Sequence, residues 1–199
     1  MRNTKVNINF CGDSFCSKGV DFSWTTILAN KLGAKVMGLG ISGVAHEHAI
    51  KSFDPSADIT VFTWTDYERI YHKEHILNKT RAKKLSSVSE PHRICHEFYE
   101  QVHDYDLAKE RQMRDMYWFD HAILSNYKGK AFHAYSRSKL YTFSNSIEYP
   151  HILSKISDVP YELTGTGDTD IDPDVANHFT KERNAQFAES MYKLISKNI

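Results

Sequence analysis

The sequence predicts an α/β protein in which a parallel sheet carries helices on both faces. The first 65 residues alternate short apolar runs with segments of helical periodicity, in the order β-α-β-α-β. The connections between these segments are short, which is typical of parallel α/β units with right-handed crossovers. Six of the nine glycines fall within the first 43 residues, so the tight turns are concentrated near the start of this sequence.

Each element of this half has its own signal. Residues 6–10, VNINF, alternate in polarity and stop at a turn, which predicts a first strand. Residues 22–32 place apolar side chains at helical spacing and are followed by Gly33, a typical helix stop. The remaining elements are a second strand, a helix and a third strand, over residues 34–39, 44–53 and 58–64.

The middle of the chain interrupts this alternation. Residues 68–90 are polar with weak periodicity, and one or two helices are expected from Pro91 to about residue 125, with a kink near 104–106. We therefore expect one domain over residues 1–199, with residues 68–125 as a largely helical insertion that caps the sheet.

Sheet character returns after this insertion. Residues 130–136 predict a further strand, whereas 141–159 are aromatic and irregular. Residues 180–195 predict an amphipathic helix with apolar side chains, including Ala185 and Phe187, on its inward side.

Composition excludes several functional classes. Lys+Arg and Asp+Glu both number 25, so the basic surplus that is typical of nonspecific nucleic-acid binders is absent. No apolar run is long enough for a membrane span, and no secretory signal peptide is expected. Three cysteines without a CxxC pair favour a reducing, cytoplasmic location.

Polar residues follow all three strands of the first half, at Asp13-Ser14, at Gly40 to Gly43, and at Thr65-Asp66. Because ligands bind beyond the carboxyl ends of parallel strands, these segments are expected to line one crevice. A serine hydroxyl at a strand-to-helix corner suits a nucleophile beside backbone N–H groups. Asp and Ser are also common turn and N-cap residues, so a structural role fits the same pattern.

A histidine near the last predicted helix is a candidate partner for this serine. Asp172, Asp174 and His178 run directly into the helix, as a Ser-His-acid arrangement requires. The alternative is a solvent-facing residue at a helix start, where Thr180 also suits an N-cap.

The motifs from Gly12-Asp13-Ser14 to His178 resemble, in order along nearly the whole chain, those of the SGNH (GDSL) hydrolases. The likeness is greatest to small, divergent bacteriophage-encoded members, which share the CGDSF start and a WT-acid motif. The resemblance implies a flavodoxin-like three-layer sandwich with about five strands. It also implies a location in the host cytoplasm or the virion.

The resemblance implies a role for each matching residue. Ser14 would be the nucleophile and His178 the general base, with an acyl-serine intermediate. The backbone N–H groups of Ser14 and Gly43 would form the oxyanion hole, and Asp13 would organise the turn. No metal or organic cofactor is implied. The expected substrate is a carboxylic ester, either an O-acyl group on a glycan or a small lipid-like ester.

Two positions depart from the family pattern. Thr65, followed by Asp66, stands where the family has an asparagine that donates to the oxyanion, and a hydroxyl reaches less far. The family's acid lies three residues before its histidine, where this chain has Val175. Asp174 or Asp172 would then orient His178, or a Ser-His dyad would act alone.

These departures keep other functions open. One alternative is an inactive module of the same fold that binds or assembles, for example in a phage particle. Another is a zinc protein, since His72, His75, His92 and His96 have spacings that zinc sites use. His46 and His48 either line the substrate pocket or lie on the exposed face of the second helix, which we favour. The oligomeric state stays open.

Overall fold

The structure, a computed structural model, describes residues 6–17, 23–136, 138–144, 146–153 and 179–199. Its strands are β1 (Asn7–Gly12), β2 (Lys35–Gly38), β3 (Ile59–Trp64), β4 (Lys130–Tyr135) and β5 (Ile147–Ile152). They form a five-stranded sheet in the order β2-β1-β3-β4-β5, in which all neighbours run parallel. The predicted α/β class and the sheet of about five parallel strands are confirmed.

Helices flank this sheet. The described ones are α1 (Trp24–Leu32), α2 (His46–Lys51), α3 (Lys79–Leu85), α4 (Glu90–Gln101), α5 (Tyr105–Trp118) and α6 (Lys181–Ser196). A 3-10 turn, Ser14–Cys16, follows β1, and a π-helical turn, Phe119–Ile123, continues α5. Within the described ranges, no helix combines the length and the apolar character needed to cross a bilayer.

One face of the sheet is covered by α1 and α6 and is called the α1/α6 face. Ile8 and Phe10 of β1 point to this side and are completely buried. Trp24 of α1 meets Phe10 and Phe187 of α6 edge-on, with ring centroids 5.3 and 4.8 Å apart. Such aromatic pairs add about 0.5–1.5 kcal/mol each beyond their buried area. They hold the last helix against the first strand.

The opposite face is covered by α2 and the end of α5 and is called the α2/α5 face. Phe62 and Trp64 of β3 point to this side because strand side chains alternate. His133 of β4 stacks on Trp64 and on Phe143, and its Nδ1 accepts a hydrogen bond from Trp64 Nε1 at 2.8 Å. Complete burial holds the pKa of His133 well below its usual value, so this histidine is neutral.

The sheet has one strand that the sequence did not indicate. Residues 141–159 were expected to be irregular, but residues 147–152 form β5 at an edge of the sheet. Pro150 lies within it, and a proline has no N–H to donate to a neighbouring strand. Its pairing with β4 shifts register between His133 and Tyr135, so the strand has no regular alternation to detect.

The insertion is more helical than expected. Three helices lie between β3 and β4, including α3 in the stretch with weak periodicity. The expected kink is a break between α4 and α5, where Asp104 caps α5 by accepting from the N–H groups of Asp106 and Leu107. The apolar side chains that gave the periodicity are largely exposed, at 53% for Ile94 and 64% for Leu107.

The last helix begins and ends close to its predicted bounds, and the Thr180 side chain caps it by accepting from Arg183 N–H. Its buried side is formed by Asn184, Phe187, Ala188, Met191 and Ile195. Ala185 was expected on that side but is exposed, and Asn184 takes its place.

Candidate active site

A tight turn after β1 presents Ser14 at the carboxyl end of the sheet. Gly12 has φ 152°, and a Cβ at this position would collide with the carbonyl of Thr63 on β3. Asp13 then caps the 3-10 turn, because its Oδ1 accepts the Phe15 N–H at 3.1 Å. Ser14 is therefore the first residue of a turn fixed from both sides.

The Asp13 carboxylate contacts side chains and backbone from several segments at this end of the sheet. It is only 1% exposed, and besides Phe15 it accepts from Ser136 Oγ at 3.0 Å and from Thr63 Oγ1 at 3.4 Å. Arg69 Nη1 lies 3.6 Å from its Oδ2. Thr63 belongs to the end of β3, and the other partners come from the segments after β1, β3 and β4, so Asp13 points inward and joins the strand ends.

The loop after β2 lies directly against this turn. Gly40 N–H donates to the Cys16 carbonyl at 3.1 Å, and Ile41 N–H donates to the Gly12 carbonyl at 3.0 Å. Gly43 has φ 80°, and a Cβ there would clash with Ile76, so this position requires glycine twice over. The structure therefore places the loop that contains Gly40 to Gly43 against the turn that contains Ser14.

The segment after β3 completes the described part of the crevice. Thr65 and Asp66 are 5% and 8% exposed. The Thr65 carbonyl accepts from Gln112 Nε2 at 3.2 Å, whereas Thr65 Oγ1 is buried without a hydrogen-bond partner among the described residues. Asp66 Oδ1 accepts the Glu68 N–H at 3.4 Å, which shapes the turn that follows.

Two residues of this neighbourhood were missed by sequence reasoning. Gln112 of α5 is 1% exposed, and Arg69 donates from Nη1 to the Val44 carbonyl at 3.1 Å. Both reach the strand ends from the insertion. No sequence pattern marks Arg69. For Gln112 the only signal is that a polar residue stands on the side of α5 that is buried in the fold.

His178, Asp174 and Asp172 lie outside the described residues, but the chain that follows His178 is fixed. Phe179 is 9% exposed, and its ring meets that of Phe15 edge-on with centroids 5.5 Å apart. Asn184 Nδ2 donates to the Phe179 carbonyl at 2.9 Å, and its Oδ1 accepts the Trp24 N–H at 2.9 Å. The start of α6 is thereby attached to α1 and to the Ser14 turn.

A cavity of about 220 Å³ lies beyond the Gly43 loop. Residues from 41–48 line one side of it and residues 70–77 line the other. The two ends of the second segment pair with each other through Ile70 and Leu77. His48 lines this cavity, and burial together with Lys51 lowers its pKa. The exposed-face interpretation that we favoured for His48 is therefore wrong.

That interpretation is also wrong for His46, which is completely buried. Its Nε2 lies 3.0 Å from Asp115 Oδ2, and its Nδ1 lies 3.3 Å from Glu47 Oε2. The hydrogen bond with His46 holds the pKa of Asp115 below its usual value. These residues join α2 to α5.

One group of side chains in the described part of the chain has potential metal ligands within 4.8 Å of one another, and no other described group does. It consists of His46, Glu47 and Asp115. The four histidines of the zinc alternative do not form such a group in the described part of the chain. His72 Nδ1 accepts backbone N–H groups of Glu74 and His75 instead.

Solved structures identify the fold. A protein assigned to the G-D-S-L lipolytic family, from Desulfitobacterium hafniense DCB-2, matches with a TM-score of 0.52 and 12% identity, over 96% of this chain and 99% of that one. A family two carbohydrate esterase from Clostridium thermocellum in complex with cellohexaose matches with a TM-score of 0.42 and 12% identity, over 96% of this chain and 64% of that one. An active-site mutant of such an esterase gives the same score over 97% of this chain.

No family model and no curated protein matches the chain. At 12% identity, the match to the G-D-S-L protein shows a shared fold and nothing more. The two esterase matches have TM-scores below 0.5 and add no further argument. The fold that the sequence resemblance implied, that of the SGNH (GDSL) hydrolases, is confirmed.

Proposed function

We propose that this chain, which has the fold of the SGNH hydrolases, is a serine esterase that cleaves a carboxylic ester. Ser14 is the nucleophile and His178 the general base. The domain over residues 1–199 binds a small-molecule or glycan ester in the crevice at the strand ends, with residues 68–125 as its cap. Its proposed location is cytoplasmic, which for a phage-encoded protein means the host cytoplasm or the virion.

The contact between Phe15 and Phe179 carries this proposal. These residues directly follow Ser14 and His178, and their rings touch although the sequence separates them by most of the chain. The contact attaches the residue after His178 to the residue after Ser14. A nucleophile and its base that lie far apart in sequence must be brought together by such long-range contacts, and this one supports Ser14 and His178 in these roles.

The reaction proceeds through an acyl-serine. Ser14 Oγ attacks the ester carbonyl carbon while His178 accepts its proton, and His178 then protonates the alcohol oxygen as the C–O bond breaks. A water molecule, deprotonated by His178, hydrolyses the acyl-serine and regenerates Ser14. The N–H groups of Ser14 and Gly43 stabilise the oxyanion, with the Thr65 hydroxyl as a third donor.

The remaining residues orient this machinery. Asp174 orients His178 in the proposal, and Asp172 or a Ser-His dyad is the alternative. Asp13 and Asp66 shape the turns that carry Ser14 and Thr65, as their hydrogen bonds with Phe15 and Glu68 indicate. No step requires a metal or an organic cofactor.

Hydrolysis of short p-nitrophenyl esters tests the proposal. Ser14→Ala should lose about 10³-fold or more in kcat, because the nucleophile is removed. Ser56→Ala is the matched control, since Ser56 is an exposed serine in a turn far along the chain. A fluorophosphonate probe should label the wild type and the Ser56→Ala variant but not Ser14→Ala.

Equal hydrolysis by the wild type and Ser14→Ala, without labelling, would overturn the proposal. That result would favour the inactive binding or assembly module. Acetylated oligosaccharides and short-chain glycerol esters, compared as substrates, would then distinguish a glycan ester from a lipid-like ester in an active protein.

A further inference from the structure

Arg69 connects the insertion to both loops that carry the proposed catalytic groups. It lies five residues beyond the end of β3, and its side chain is 19% exposed. Its backbone carbonyl accepts a hydrogen bond from Arg111 Nη2 on α5 at 3.1 Å. The carbonyl of the preceding residue, Glu68, accepts from Tyr99 on α4 at 2.5 Å. Helices of the insertion therefore fix the backbone at Arg69.

One guanidinium nitrogen of Arg69 bridges the crevice. Nη1 donates to the Val44 carbonyl at 3.1 Å and lies 3.6 Å from Asp13 Oδ2. Asp13 precedes Ser14, and Val44 follows Gly43, so the same nitrogen contacts the neighbours of both groups.

The first consequence is geometric. Gly43 has φ 80°, and the two carbonyls on its C-terminal side are both held by side chains. Asn78 Nδ2 donates to the Gly43 carbonyl at 3.5 Å, and Arg69 holds the Val44 carbonyl. Both side chains come from the segment after β3. The direction of the Gly43 peptide is thus set by this segment as well as by its own loop.

The second consequence is electrostatic. The Asp13 carboxylate is almost fully buried next to Ser14, the residue whose attack would generate the oxyanion. Negative charge that develops on the substrate oxygen would be repelled by this carboxylate. The guanidinium beside Asp13 offsets that repulsion, and its effect is greatest in the transition state, where the oxyanion forms.

We infer that Arg69 is a positioning residue, which holds the Gly43 loop and neutralises Asp13 so that the oxyanion is stabilised. The inference rests on the proposed esterase function. It predicts that loss of Arg69 lowers kcat while KM is nearly unchanged, because the groups that Arg69 holds act on the oxyanion of the transition state.

The test compares Arg69→Met, Arg69→Lys and the wild type with p-nitrophenyl acetate. Arg69→Met should lose about tenfold to a hundredfold in kcat, with KM within about twofold, since small displacements of catalytic groups have effects of this size. Arg69→Lys should lose about threefold to tenfold, because it keeps the charge. Added guanidinium should partly restore an Arg69→Ala variant, whose truncated side chain leaves space for the ion, which a purely structural role would not produce.

Arg93→Met is the matched control, since Arg93 is an exposed arginine on α4 that pairs with Glu97. Wild-type kcat in folded Arg69→Met, or an equal loss in Arg93→Met, would overturn the inference alone. If Arg69→Met does not fold, Arg69→Lys decides in the same way, and wild-type kcat in it counts against the inference. A wild-type protein with neither turnover nor fluorophosphonate labelling would instead overturn the proposed function.

Discussion

Both faces of the sheet bury aromatic side chains, but they treat polar groups differently. On the α1/α6 face, the buried Asn184 uses its oxygen for Trp24 N–H and its nitrogen for the carbonyls of Phe179 and Thr180. On the α2/α5 side, buried polar atoms have no hydrogen-bond partner among the described residues: Thr65 Oγ1, Gln112 Oε1, Asp120 Oδ1 and His133 Nε2. No such atom belongs to α1 or α6.

The α1/α6 face therefore satisfies its buried polar groups and holds α6 in place, whereas the α2/α5 face keeps buried polar atoms that lower stability. A buried polar atom without a partner costs about 1–3 kcal/mol, so a face that keeps several gives up stability. Such groups tend to persist where they have a function. Thr65 and Gln112 are at the candidate active site, which fits this view. The α1/α6 face instead holds the start of α6 in place.

The largest expected effects are on the aromatic cores. Phe187→Ala on the α1/α6 face and Phe119→Ala on the α2/α5 face should each lower the free energy of unfolding by about 3–5 kcal/mol. Of these two phenylalanines, Phe187 is the one whose ring contacts that of Phe179, with centroids 5.1 Å apart. The folded fraction of Phe187→Ala should therefore also lose kcat, whereas that of Phe119→Ala should not. Urea unfolding and ester hydrolysis below the transition measure the two effects, and equal kcat in both variants would contradict the anchor role.

Asn184→Ala should have the next largest effect. It leaves the buried Trp24 N–H without its acceptor, which costs about 1–3 kcal/mol of unfolding free energy. Gln186→Ala, an exposed change on the same helix, is the control and should cost less than about 0.5 kcal/mol. Chemical denaturation distinguishes them, and equal midpoints would show that the Asn184 hydrogen bonds are not stabilising.

His133 should make stability depend on pH. The unfolded chain takes up a proton at this histidine near pH 6.5, while burial keeps the folded form neutral to a lower pH. Below pH 6.5 the unfolded state therefore binds more protons, and the free energy of unfolding falls by up to about 1.4 kcal/mol per pH unit. His133→Gln, whose amide oxygen is an acceptor for Trp64, should flatten this slope. The control is His121→Gln, at an exposed histidine, which should not change the slope. An unaltered slope in His133→Gln would show that His133 does not cause the pH dependence.

The smallest change in stability is expected at Thr65. Thr65→Val replaces an unpaired buried hydroxyl with a methyl group, so the free energy of unfolding should shift by less than about 1 kcal/mol. As an oxyanion donor, however, the hydroxyl should be worth about 10²-fold in kcat. Thr65→Ser keeps the hydroxyl and should keep most of the activity. Full kcat in Thr65→Val would remove Thr65 from the oxyanion hole.

The sequence predicts the first half of the fold and the positions of its strand ends because the signals there are local. Alternating strands, Gly33 and the turn at Asp13-Ser14 need only neighbouring residues. Strand β5 was missed because edge strands tolerate proline and irregular register, which removes the periodic pattern. Ala185 was assigned to the core because helical spacing does not reveal that Asn184 has buried partners on α1 and at its own helix start.

The site divides in the same way. Ser14 and Gly43 were predicted to meet because parallel strands end at one edge of the sheet. Arg69 and Gln112 could not be predicted, since their contacts depend on how the insertion packs against that edge. His46 looked like a polar residue on an exposed helix, and only the fold brings Asp115 to it.

The contact between α1 and the start of α6 also determines when the site can form during synthesis. Trp24 and Asn184 are separated by 160 residues, so their pairing can form only after α6 has been synthesised. Closing so long a loop has an entropic cost that only the finished sheet and helices repay. A ribosome-bound chain that lacks α6 has the serine turn but no anchor for the segment before the helix. The proposed esterase activity should therefore appear only after α6 has left the ribosome, which makes turnover a reporter of the docking of this helix.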